Sequence, residues 1–171
     1  MATTLSGGSV RFNLAATETT AVGATNRVMQ LSPAGSYSAT VANGTASSQA
    51  NCLASVTGTA GTTPVLINLS SLTLSGVDDP LVLTSIRGIL IQETTSPIGS
   101  NYLLVGDSAG TLTNAITGFW NSSSGSEKIC SGGARAIYSP LGVTVDASHC
   151  LLQVVANSGT VAYQIDIIGT K

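Results

Sequence analysis

The sequence predicts an all-β domain, a sandwich or a barrel, and three observations point to it. Val161, Tyr163, Ile165 and Ile167 alternate with Ala162, Gln164 and Asp166, the period of a strand with one buried face. Ahead of them, Asn157-Ser158-Gly159 supplies a corner that tolerates positive φ, so a hairpin is expected to join residues 150–155 to 160–168. Short apolar runs of the same kind recur along the chain, separated by Gly, Asn, Ser or Pro, with almost no helical period between them.

In order, the expected strands are residues 9–15, 27–31, 36–41, 49–56, 64–69, 81–93, 101–105, 128–130, 134–138, 142–145, 150–155 and 160–168. The longest is 81–93. There Leu83, Ile89 and Ile91 share a face with Arg87, while Val82, Ile86 and Leu90 lie opposite. Both faces are then at least partly covered, as in a central strand or one bordered by another subunit. Residues 15–25 are rich in Ala and Thr with weak periodicity, so residues 1–40 read as edge strands or as an arm that reaches a neighbouring subunit. Residues 41–171 form the sandwich domain in this reading. The segment 114–126 differs in kind, with Phe119 and Trp120 as an aromatic anchor before a Ser-rich, exposed loop at 121–126. No repeat of fixed period is visible.

Composition narrows the function classes. At 171 residues the chain fits one domain with room for a sizeable core. Charged residues are 8% of it, against about 25% in ordinary soluble domains, and mean hydropathy is +0.37. A surface so poor in charge is coated with Ser, Thr, Asn and Gly or hidden against other subunits, which points to self-association. Apolar runs break well before the roughly 18 residues of a membrane helix, so no membrane partner is expected. Residues 1–9 lack the basic start and apolar block of a signal peptide, so synthesis and retention in the cytoplasm before assembly are expected. The six Lys and Arg are scattered over a chain of net charge −2, which argues against direct nucleic-acid binding.

No constellation of chemical groups stands out. The single histidine, His149, neighbours Cys150, but adjacent strand residues point to opposite faces and do not form a dyad. Cys52, Cys130 and Cys150 match neither a zinc pattern nor a disulfide framework and read as three buried thiols, with a Cys130–Cys150 bridge as the alternative. Asp78 and Asp79 before Pro80 read as a turn, because calcium loops space their oxygen ligands at alternate positions. Gly132 and Gly133 make a turn, with no helix pattern after them to bind phosphate. Catalytic, metal and cofactor residues are therefore not expected. Arg87, Glu93, Arg135 and Asp166 are charges set inside apolar strand patterns, either paired at a subunit contact or simply turned outward.

The segments Ala42-Asn43-Gly44-Thr45 with Gln49-Ala50-Asn51, Ile67-Asn68-Leu69 with Leu72-Thr73 and Gly76, Leu83-Thr84-Ser85-Ile86-Arg87-Gly88-Ile89-Leu90-Ile91, and Val105-Gly106 together resemble a group of small virion proteins of tailed phages and prophages. Gly132-Gly133-Ala134, Val155-Ala156-Asn157-Ser158-Gly159 and Tyr163-Gln164-Ile165-Asp166-Ile167-Ile168-Gly169-Thr170 complete the set, which covers residues 41–171. The resemblance implies an antiparallel β-sandwich of jelly-roll type that acts as a head decoration, or cement, protein. Its implied partners are the major capsid protein and further copies of itself, commonly in a trimer, and its implied place is the capsid exterior. Candidate contact residues are then Arg11, Phe12 and Arg27 in the arm, with Arg87, Glu93, Trp120 and Arg135 in the domain. A tail, baseplate or fibre component is the nearest alternative. A carbohydrate-binding jelly roll, with Trp120 and the 121–126 loop against sugar, is the next.

Overall fold

The computed structural model describes residues 8–12, 16–22, 25–31, 37–47, 49–72, 80–107, 112–116, 118–119 and 125–171, with residues 8–43 described by their backbone. The described residues form strands and connections and no helix. The strands are β1 (Gly8–Phe12), β2 (Ala16–Val22), β3 (Thr25–Leu31), β4 (Tyr37–Asn43), β5 (Gln49–Ala50), β6 (Cys52–Ala60) and β7 (Val65–Asn68). They continue as β8 (Ser85–Glu93), β9 (Tyr102–Gly106), β10 (Ser126–Cys130), β11 (Ala134–Thr144), β12 (Leu151–Ala156) and β13 (Val161–Thr170).

Two four-stranded antiparallel sheets, β11-β8-β13-β6 and β10-β9-β12-β7, make a β-sandwich. The pairs are nested: β9 lies against β10, β8 against β11, β7 against β12 and β6 against β13. Before the sandwich, β1 pairs with β4, β4 pairs in parallel with β5, and β2 pairs with β3. The strand β2 falls in the Ala/Thr-rich stretch where the sequence shows little period. The boundary expected after residue 40 falls inside β4.

The core is the contact between the two inner faces. Ala54, Ala60, Ile89, Ile91, Tyr163, Ile165 and Ile167 meet Ile67, Leu103, Val105, Ile129, Leu152, Val154 and Ala156 across the sandwich. Each fully buried Leu, Ile or Val here contributes roughly 1.5–3 kcal/mol. The period-2 alternation read from the last strand is reproduced over Val161–Thr170, whose odd-numbered residues are buried.

The expected terminal hairpin is corrected. The reversal forms, with Gly159 at φ +61°, but β12 and β13 belong to opposite sheets. It is a corner, held by the Tyr102 N–H donating to Asn157 Oδ1 (2.7 Å), the Asn157 N–H donating to the Tyr102 carbonyl (3.1 Å) and the Ser158 hydroxyl donating to Asn101 Oδ1 (2.7 Å). Both strands send alternate side chains into one core from opposite sides. The sequence period is the same for either arrangement.

The long strand is also re-phased. Against β13 the register passes from Ile168↔Gly88 to Gly169↔Ile86, and against β11 from Tyr138↔Gly88 to Val143↔Ile86. Arg87 has no cross-strand partner on either side, so it is a bulge. Ile86 and Ile89, which an unbroken strand would place on opposite faces, both enter the core. Leu90 keeps the outer face and Val82 is exposed. The two strands expected over 134–138 and 142–145 are one bulged strand, β11.

Tyr163 lies over Gly58, its cross-strand partner. A Cβ at Gly58 would stand 2.7 Å from the phenol oxygen. Gly58→Ala is expected to destabilise the fold by about 1–3 kcal/mol through forced displacement of a buried ring; calorimetry showing an unchanged melting temperature would count against this packing.

Candidate functional site

Arg87 is 5% exposed and its bulge aims the guanidinium at backbone rather than at a carboxylate. Nε donates to the Gln49 carbonyl (3.0 Å), Nη2 to the carbonyls of Thr45 (3.0 Å) and Ala46 (3.2 Å), and Nη1 to the carbonyl of Leu141. A guanidinium has five N–H donors in a planar fork and no acceptor, which suits a cage of carbonyls. The Leu141 carbonyl is within reach because Gly142 sits at φ +82°, and a Cβ there would collide with Arg87 and Ser85. The cage ties the turn at 44–49 and the β11 bulge to the start of β8. Ser47 Oγ donates to the Pro140 carbonyl (3.3 Å) across the same junction.

At the far end of β8, Glu93 is 4% exposed and faces inward beside Tyr163. Its Oε1 accepts from the Thr95 N–H (2.9 Å) and its Oε2 from the Gly132 N–H. Burial pushes the carboxyl pKa up, but hydrogen bonds from Thr95, Gly132 and Ser131 outweigh it and leave the pKa below the ordinary value. Gly132, at φ +70°, makes the turn that turns its amide toward Glu93. Both buried charges thus hold connections to the sheet.

The other candidates are dispersed. Arg135 is exposed on β11 and pairs with Glu127 at 3.3 Å, a contact of little energetic weight. Arg11 and Phe12 lie on β1 and Arg27 on β3; Trp120, residues 121–124 and the pair Asp78 and Asp79 lie outside the described residues. His149 Nδ1 is 3.0 Å from Asp146 Oδ1 in a small exposed turn. A hydrogen bond from the Ser148 N–H, then one with His149, draws the Asp146 pKa down. Asp166 accepts from Ser55 Oγ (2.6 Å) and Gln164 Nε2 (3.0 Å) on the outer face of its sheet. Among the described residues no group of three or more His, Cys, Asp or Glu is placed to share a metal ion, and no helix is long and apolar enough to cross a membrane.

No protein-family model and no curated protein matches this chain. The cysteines depart from the sequence expectation of three buried thiols. All are free; Cys52 and Cys150 are buried, and Cys130 is exposed on β10. Burial pushes the Cys52 thiol pKa up, which keeps it protonated and unreactive. Beside Cys130, Lys128 Nζ stands 4.0 Å over the Tyr102 ring.

The surface carries Leu53, Leu66, Val82, Ile98 and Leu141 as exposed large apolar side chains. On the outer face of the β11-β8-β13-β6 sheet, Leu53, Ile168, Gly88 and Tyr138 form one cross-strand row. The sequence marked Arg87 and Glu93 as charges within apolar strands. It gave no sign of their partners, which are backbone carbonyls and amides and so have no residue signature.

Proposed function

We propose that this chain is a non-enzymatic virion protein of tailed phages that decorates the capsid exterior and stabilises its lattice, with the major capsid protein and other copies of itself, in a trimer, as partners. The observation that carries this reading is the nested pairing of β6 with β13, β7 with β12, β8 with β11 and β9 with β10. A long antiparallel ribbon folded over itself into two sheets is the pairing expected of a jelly roll, an architecture common among capsid proteins, and it supports the jelly-roll reading that the sequence resemblance implies. The buried charges support a scaffold role, since Arg87 and Glu93 are both engaged by backbone groups of their own chain. The N-terminal strands suit a contact arm: among the described residues β2 and β3 pair only with each other, and a two-stranded ribbon alone is marginal in water.

Cementing in this sense needs no bond chemistry. A surface that binds the assembled lattice better than separate subunits shifts the equilibrium toward the lattice. Attachment at several points then turns modest contacts into lasting occupancy. Cryo-electron microscopy of the particle that carries this chain tests the proposal. The expected result is discrete density outside the shell, bridging several capsid subunits. Density confined to the tail or a fibre, or no density at all, would overturn it.

A further inference from the structure

Four strands end the two sheets, and three of them carry features that discourage pairing with another chain. β7 has only four residues, β10 carries Glu127 and Lys128, and β11 carries Arg135, Pro140 and a bulge. Short length, charge, proline and bulges are the usual means by which proteins blunt a sheet edge. The fourth strand, β6, has none of them. Its nine residues, CLASVTGTA, hold no charge and no proline, and they follow β13 without a register break from Val161↔Ala60 to Gly169↔Cys52. Among the described residues, β6 is paired on one side only. The strand β4 reaches Gln49 and Ala50 and runs parallel to them, so its earlier residues lie before β6 rather than alongside it. Leu53 stands 60% exposed on the outer face.

We propose that β6 pairs antiparallel with β6 of a second copy of this chain about a two-fold axis, joining two sheets into one. The strand's own composition favours a second copy. With the axis at Val56, the middle of the strand, Val56 meets its own counterpart, Ser55 meets Thr57, Leu53 meets Thr59, Ala54 meets Gly58 and Cys52 meets Ala60. Hydroxyl and β-branched residues face one another, and no like charges meet. An isologous contact repeats each of these pairs, and closure at two copies leaves no further β6 edge to recruit more chains. A charged extended segment from another protein would find no countercharge on this strand. The inference stands apart from the virion reading: this two-fold contact is separate from the three-fold one proposed there, and its loss halves the mass whether it joins two single chains or two trimers.

The test is sedimentation equilibrium on the whole protein and on a Thr57→Lys/Thr59→Lys variant, with amide hydrogen exchange over residues 52–60 of the unaltered chain. Both substituted residues are exposed, so the variant is expected to keep its melting temperature while its mass falls to half that of the parent. In the unaltered chain the amides of β6 are expected to exchange about tenfold more slowly in concentrated than in dilute solution. Equal masses for parent and variant would overturn the proposal. So would β6 exchange that is independent of concentration, a result readable even if the variant does not fold. Protection of 52–60 that appears only on capsids would assign the edge to the shell protein instead.

Discussion

Arg87→Met is expected to give a protein that folds but is less stable by about 3 kcal/mol, because several carbonyls lose a charged donor and water replaces it only in part. For a chain of this size, that loss lowers the melting temperature by roughly 6–12 °C. The effect should be largest at the turn at 44–49, where Thr45, Ala46 and Gln49 all present carbonyls to the guanidinium. Limited proteolysis should therefore cut that turn in the variant under conditions that spare the parent. Arg87→Lys keeps the charge but has three donors on one nitrogen and no planar fork, so an intermediate loss is expected. A melting temperature unchanged in Arg87→Met, with the turn equally resistant, would mean that the cage is ornamental and that β8 needs no tie at its start.

The same residue shows how far sequence reasoning reaches. Strands with one buried face were legible because alternation in sequence is alternation in space, as in β13, where Val161, Tyr163, Ile165 and Ile167 all enter the core. β2 was not, since ATETTAV offers little apolar contrast to read. Topology was hidden at the Asn157-Ser158-Gly159 corner, where a tight reversal serves a hairpin and a crossing between sheets equally well. Phase was lost at Arg87, where one bulged residue brings Ile86 and Ile89 to the same side. A charge within an apolar run marked the place where something unusual happens. Its meaning depended on loops that approach from 38 to 54 residues away along the chain, a distance at which local pattern carries no information.

Glu93 should make the fold acid-sensitive. Its carboxyl pKa lies below the ordinary value in the folded chain and near about 4.3 in the unfolded one. A depressed pKa in the folded state means that the unfolded chain takes up the proton more readily. The stabilisation is therefore complete above the unfolded value and is lost as pH falls through the folded one. Below that range the protonated carboxyl holds the amides of Thr95 and Gly132 less strongly, and the turns at 94–95 and 131–133 should loosen together. Glu93→Gln should lower stability at neutral pH by about 2 kcal/mol, since a neutral amide oxygen accepts less strongly and its NH2 group faces another N–H donor. Its melting temperature should then change little between pH 5 and pH 3, about the range in which carboxylates titrate. Asp146 shifts in the same direction, so the comparison belongs in an Asp146→Asn background. If parent and Glu93→Gln lose stability in parallel on acidification, the acid response comes from other carboxylates, and the turns beside β8 are held by backbone geometry alone.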